Sequence, residues 1–163
     1  MKGVNCDSRL KGDIWFSVVT QRVQDMQSDE WQSAWPPLVQ DAGLIIHYAN
    51  IPLTGPTEPD QAITERTPVI LDEKNGIFLN GVGDDGHEDF YISKIGNNFS
   101  FCKTGRRPYD LVVCTILLRA YVLAPSTFEL SSDGDWDNDW VEARDLYHCI
   151  WPEENIPCPW EKE

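Results

Sequence analysis

The sequence predicts an α+β fold: an antiparallel β-meander of about four to five strands packed against a buried central helix, 108–124, and an amphipathic C-terminal helix, 138–151. Three observations point to it. Short apolar runs separated by turn residues fill 68–103, the stretch 111–124 is apolar almost all round, and 138–151 carries its large side chains along one side. At 163 residues the expectation is one domain, 1–163. Its core falls in 66–151, with a less defined N-terminal part, 1–65, and an irregular tail, 152–163.

From the N-terminus, Ile14, Trp15, Val18, Val19, Val23 and Met26 recur at helical spacing and predict an amphipathic helix over 13–27. The β-branched residues among them suit a strand as well. Ser28 is placed to cap a short helix bearing Trp31 and Trp35, which Pro36-Pro37 is expected to stop or kink. Leu44 to Tyr48 reads as a short strand. Four prolines in 50–68 predict a long surface loop.

The β signal is clearest next. Val69-Ile70-Leu71 and Ile77-Phe78-Leu79 flank a turn ending in Asn75-Gly76, a strong hairpin dipeptide. Phe90-Tyr91-Ile92 follows a Gly-rich loop, Asn97-Asn98 predicts a turn, and Phe99 and Phe101 alternate with Ser100 and Cys102. Pro108 then suits a first helical turn, and Pro125 ends the apolar helix. Phe128-Glu129-Leu130-Ser131 reads as a strand returning to the sheet. Trp140, Ala143, Arg144, Tyr147 and Trp151 share one side of the last helix, which Pro152 stops.

Charge narrows the partners. Twenty-seven acidic against 13 basic residues give a net charge of −14, which opposes binding to nucleic acid phosphates and anionic membranes. It favours solubility and admits a basic partner. The first ten residues lack a signal-peptide stretch, and the run Leu111–Leu118 is too short to span a bilayer, so the expected compartment is cytoplasmic. The five cysteines, Cys6, Cys102, Cys114, Cys149 and Cys158, show no CxxC spacing and predict no metal site.

Three polar clusters are candidates for chemistry. The loop Gly81-Val82-Gly83-Asp84-Asp85-Gly86-His87-Glu88-Asp89 satisfies G-x-G-x-x-G literally. A dinucleotide site is excluded on mechanism, because the motif must open a helix and here a strand follows. His87 is a candidate proton-transfer residue, oriented by Asp84 or Asp133. A divalent cation among its carboxylates is the alternative chemistry, and an exposed hairpin loop the purely structural one. In the second cluster, Lys103, Arg106 and Arg107 sit with Tyr109 at a strand-to-helix junction. Free N–H groups and the helix dipole make such a junction a place for a carboxylate or phosphate. Pairing of these cations with the protein's own acids is the competing account. In the third, 131–140, alternate carboxylates invite a calcium reading, but the EF-hand template matches poorly and a helix cap explains most of it. H-E-x-x-H and G-x-S-x-G are absent. No cofactor is required by any motif.

The stretch 79–140 resembles a family of small uncharacterised proteins found mainly in fungi. The residues that carry the likeness are Asn80-Gly81-Val82-Gly83 with Asp85-Gly86-His87-Glu88, Phe101-Cys102-Lys103-Thr104 with Arg106 and Pro108-Tyr109-Asp110, and Ser131-Ser132-Asp133-Gly134-Asp135-Trp136. The likeness covers under half the chain and brings no activity with it. It implies that the three clusters belong to one unit.

Two functions remain. One is a small anionic ligand bound where 81–89, 103–110 and 131–136 converge, with His87, Asp84 and Asp133 handling a proton and Lys103, Arg106, Arg107 and Tyr109 holding the anion. The other is a non-catalytic interaction protein. Its segment 129–163 holds eleven acids against Arg144 and Lys162, with Trp136, Trp140, Trp151 and Trp160 to dock a basic protein partner.

Overall fold

A computed structural model describes residues 18–56, 67–95 and 100–161. Asn97-Asn98 and residues 57–66 of the Pro-rich 50–68 stretch lie outside these, as do Cys6 and the first part of the predicted 13–27 helix. The described part of that stretch is a strand, β1 (Val18–Val23), followed by a turn over 24–27. Its alternation puts Val19, Gln21 and Val23 inside and leaves Arg22 exposed, so the β-branched reading prevails.

Ser28 caps α1 (Asp29–Ala49), its Oγ accepting from Trp31 N at 3.2 Å. Pro36 and Pro37 do not stop it. They remove the donors that would reach Gln32 O and Ser33 O, and an interior proline costs about 3 kcal/mol. The helix continues because Trp31, Trp35, Leu38, Ala42 and Ile45 are all fully buried on one face. Leu38 and Ile45 alone contribute about 2 kcal/mol each on burial, and the two indoles more. Both indoles also find acceptors: Trp31 Nε1 donates to Lys94 O at 2.8 Å and Trp35 Nε1 to Glu73 O at 3.0 Å. Leu44 to Tyr48, expected as a strand, is the last part of this helix. Its exposed Leu44 and buried Ile45 follow the helical stripe set upstream.

Among the described residues seven antiparallel strands form two sheets. In one, β4 (Gly76–Gly81) pairs with β2 (Leu53–Thr54), β3 (Ile70–Asp72) and β5 (Phe90–Ile92). β2 lies inside the stretch expected to be loop throughout; two residues are too few to leave a periodic signal. The β3–β4 turn is as the Asn75-Gly76 dipeptide predicts, with Gly76 at φ +97° and Asp72 Oδ1 accepting from Asn75 N. In the other sheet β1 is central, between β6 (Ser100–Lys103) and β7 (Phe128–Ser132). The meander is therefore β3–β4–β5, and β6 leaves it to join β1. The amide of Gln21 bridges the sheets by donating to Tyr91 O at 3.3 Å.

α2 (Asp110–Leu123) is the centre of the molecule. Every residue from Asp110 to Ala120 is buried, as an all-round apolar helix requires. Its one central charge, Arg119, is met from three sides. Nε donates to Asp41 Oδ2 at 2.7 Å, and Nη1 to Tyr147 Oη and to Glu154 Oε2, both at 2.8 Å. The guanidinium also lies 4.0 Å from the Trp151 ring centroid. α3 (Val141–Ile150) buries Ala143 and Tyr147 beside this group. The tail after it is irregular but packed, with Ile156 buried and Trp160 edge-on to Trp136 and Trp140. Among the described residues no helix is long and apolar enough to cross a membrane.

Candidate functional site

The strand register determines where the site forms. Gln24 N donates to Thr127 O at 2.9 Å, which extends the β1–β7 register by one pair. Antiparallel pairs alternate between bonded and non-bonded, so Gln24, Arg22 and Thr20 turn their peptide groups toward β7, and Val23, Gln21 and Val19 toward β6. Ser100 and Cys102 face Gln21 and Val19. Lys103 must therefore turn its own N–H and C=O outward, on the free edge of β6.

The 87–89 loop occupies that edge. Lys103 N donates to Glu88 Oε2 at 2.7 Å, and Glu88 N donates to Lys103 O at 3.2 Å. His87 Nδ1 lies 2.8 Å from the same carbonyl, and Tyr109 Oη donates to Glu88 O at 2.6 Å. A carbonyl can only accept, so Nδ1 carries a proton and Nε2 is the ring nitrogen left open. His87 is exposed. Its orienting partner is the Lys103 carbonyl, where the sequence reading named Asp84 or Asp133. Asp84 sits exposed with Asp85 in a short 3-10 turn, Gly83–Asp85, and Asp133 is exposed at the end of β7.

Asn80, which sequence reasoning missed, holds the loop in place. Its Oδ1 accepts from Gly81 N and His87 N at 2.7 and 3.0 Å, and its Nδ2 donates to His87 O and Asp89 Oδ1 at 2.9 and 2.8 Å. One asparagine ahead of a Gly-rich loop gives little sequence signal. The glycines themselves serve close approach: a Cβ on Gly81 would fall 2.1 Å from Asp85 O.

The basic segment follows. Gly105 and Arg106 both have positive φ, 58° and 55°, and Arg107 N donates to Thr104 O at 3.1 Å. This is a type I′ turn with a non-glycine residue in a conformation costing about 1–2 kcal/mol. It turns Arg106 toward Asp139 Oδ1, 3.3 Å away, with both side chains partly exposed. Arg107 is exposed and has no ion pair among the described residues. The three clusters are thus joined, the first two through the main chain of Lys103 and the last two through Arg106–Asp139.

The helix start is not the anion seat that the sequence suggested. Asp110, Leu111 and Val112 donate their N–H groups to Arg107 O, Pro108 O and Tyr109 O, and Val113 also reaches Tyr109 O. The buried Asp110 carboxylate takes the place of an anion there, accepting from Thr104 Oγ1 at 2.5 Å. Tyr109, expected to face a ligand, is fully buried. Burial, with Cys102 and the Asp110 charge beside it, holds its phenol well above the usual range. Burial also pushes the Cys102 thiol up to about 12, with Glu88 and Asp110 adding to the effect, which disfavours the thiolate.

The third cluster is spent locally. Asp135 Oδ1 accepts from Asp137 N and Asn138 Nδ2, and Asp139 Oδ2 accepts from Asp135 N. Among the described residues no group of three or more His, Cys, Asp or Glu is placed to hold a metal ion. Trp136 and Trp140 are buried, while Trp151 and Trp160 are half-buried against ring neighbours. The four do not form one exposed aromatic face.

A groove of about 570 Å³ lies elsewhere, between the outer side of β1–β7 and residues 157–161. It was invisible in the sequence because its walls come from 20–24, 121–131 and 157–161. No family model, curated protein or solved structure matches this chain.

Proposed function

We propose that the protein binds a small anionic molecule over the surface formed by His87, Arg106 and Arg107, beside Lys103, with His87 Nε2 exchanging a proton with it. The observation that carries this reading is the His87 Nδ1–Lys103 O bond. It anchors one imidazole nitrogen and leaves the other open, on the same short segment that presents Arg106 and Arg107. The strained turn at Gly105-Arg106 supports it, since strain of this kind collects at binding sites. The anion would be held by side chains at an exposed surface, because the helix N-terminus is already occupied. Asp84 and Asp133, both exposed, would tune this surface and not contact the imidazole's anchored nitrogen.

Inorganic phosphate and succinate, titrated while the His87 imidazole resonances are followed, test the reading. Saturable shifts at His87, weakened about tenfold by Arg107→Glu and unchanged by Arg22→Glu, are expected. Equal responses in both variants, or none at His87, would sink it.

A further inference from the structure

Side chains alternate along β1 and β7, and the register between the strands fixes which of them share a face. Val19, Gln21 and Val23 of β1 and Phe128 and Leu130 of β7 are buried on the inner face. Thr20 pairs with Ser131 and Arg22 with Glu129, so these four share the outer face, with Gln24 beyond them. A sheet face turned to solvent is ordinarily polar for that reason alone. Here it is also the floor of the 570 Å³ groove, whose walls carry Tyr121, Pro125, Pro157, Pro159 and Trp160. A polar floor thus lies between aromatic and prolyl walls, in a volume of the size that small ligands occupy.

The floor and one wall are held in place by the protein itself. Gln24 Nε2 donates to Glu129 Oε1, and the Thr20 and Ser131 hydroxyls are bonded to each other. Trp160 stands edge-on to Trp136 and Trp140, with ring centroids 5.5 and 5.1 Å apart. The chain leading to it is tied down by Glu154 on Arg119. Four groups of the lining stay free. The Arg22 guanidinium, the Tyr121 hydroxyl, the Trp160 Nε1–H and the Glu161 carboxylate have no hydrogen-bond or ion-pair partner among the described residues.

We infer that this groove binds a neutral saccharide. A sugar ring carries hydroxyls round its rim, each both donor and acceptor, and C–H groups on its faces. The rim suits the polar floor. The faces suit half-buried Trp160 and Tyr121, since the negative π face of an aromatic ring attracts C–H groups. A guanidinium fork and a carboxylate each offer two side-by-side bonds, which matches a pair of adjacent hydroxyls. Charge selects for an uncharged ligand. An anion would meet Glu129 and Glu161, and a cation would meet Arg22. This inference does not depend on the anion site at His87.

The test titrates the full chain with maltose, cellobiose, lactose and chitobiose, each up to about 10 mM, while the Trp160 indole and Tyr121 ring resonances are followed by NMR. At least one sugar should bind saturably and shift both residues. Its binding should weaken about tenfold in Trp160→Ala and about threefold in Tyr121→Phe and Arg22→Met. Gln40→Ala, on the exposed side of α1, should leave it unchanged. Tyr121→Phe and Arg22→Met each remove one free polar group at the surface, so they decide the matter even if Trp160→Ala fails to fold. The neutral sugar should also bind at least about tenfold more tightly than glucuronate, protonated glucosamine or a peptide of alternating lysine and valine. No saturable binding by any of the four sugars, or shifts confined to residues outside the groove, would overturn the inference. So would natural affinity in both Tyr121→Phe and Arg22→Met, or tighter binding of a charged competitor.

Discussion

Glu88 and Lys103 are joined through the main chain of the lysine: its N–H donates to the Glu88 carboxylate at 2.7 Å, and its carbonyl accepts from Glu88 N at 3.2 Å. A side-chain carboxylate thus stands in for the acceptor that a neighbouring strand would provide, and a potential sticky edge is closed. The same carbonyl orients His87. Sheet closure and the orientation of the candidate base are one arrangement, so disturbing either should disturb both.

Gly105→Ala tests that coupling. A Cβ at Gly105 would lie 3.0 Å from His87 Cδ2, and the position has φ +58°. The substitution should cost about 1–2 kcal/mol and push the ring off Lys103 O. Urea unfolding gives the first quantity. Loss of the Nδ1–H tautomer in nitrogen NMR gives the second, and an unchanged tautomer would count against the packing described.

Arg119→Met should destabilise by about 3 kcal/mol, because it leaves Asp41 without its cation in a mostly buried setting. The Asp41 and Arg119 side chains are only 14% and 10% exposed. The double change Arg119→Met with Asp41→Leu should recover part of the loss, since apolar replacement of a whole buried pair is often well tolerated. Urea midpoints of the three proteins decide this.

Glu154 gives the fold an acid-sensitive contact. Burial raises its pKa, but hydrogen bonds from Tyr147 and Arg119 outweigh this and hold it below the ordinary value of 4.5. A depressed folded pKa contributes stability above the unfolded value and loses it as pH falls through the folded one. The contribution is therefore complete above pH 4.5 and declines below it. Its size is tempered by the 38% exposure of the side chain. Urea midpoints measured across this range should fall more steeply for the natural protein than for Glu154→Gln.

Pro36→Ala should stabilise. Pro36 is exposed, so little packing is lost, and the new N–H can reach Gln32 O within α1. The gain in helix propensity is about 3 kcal/mol, less about 1 kcal/mol for the freer unfolded chain. A rise in thermal midpoint is the expected outcome; a fall would mean that the proline shapes the helix in some needed way.

These proline positions show where sequence reading stops. α2 was legible because its apolar run is bounded by Pro108 and Pro125, both local signals. α1 was cut short on paper because the rule about proline is local, while the burial of Trp35, Leu38 and Ile45 that overrides it is tertiary. The β3–β4–β5 meander followed from turn residues, but the departure of β6 to β1 depends on pairing across some eighty residues of chain. The polar clusters were visible as composition. That Asp110 would occupy the helix start, that Tyr109 would be buried, and that Asn80 would position the His87 loop were not, since each depends on a partner from another segment.

Arg119 also has a consequence for how the molecule comes apart. It sits in α2 yet is bonded to α1 through Asp41, to α3 through Tyr147 and to the following segment through Glu154. An irregular segment lacking such ties would fray on its own, with protection falling toward zero. Here the 151–156 stretch cannot open without exposing a charge shared by α1, α2 and α3. A fluorophore attached beyond it should stay silent through local fluctuations and report only the cooperative loss of the whole domain.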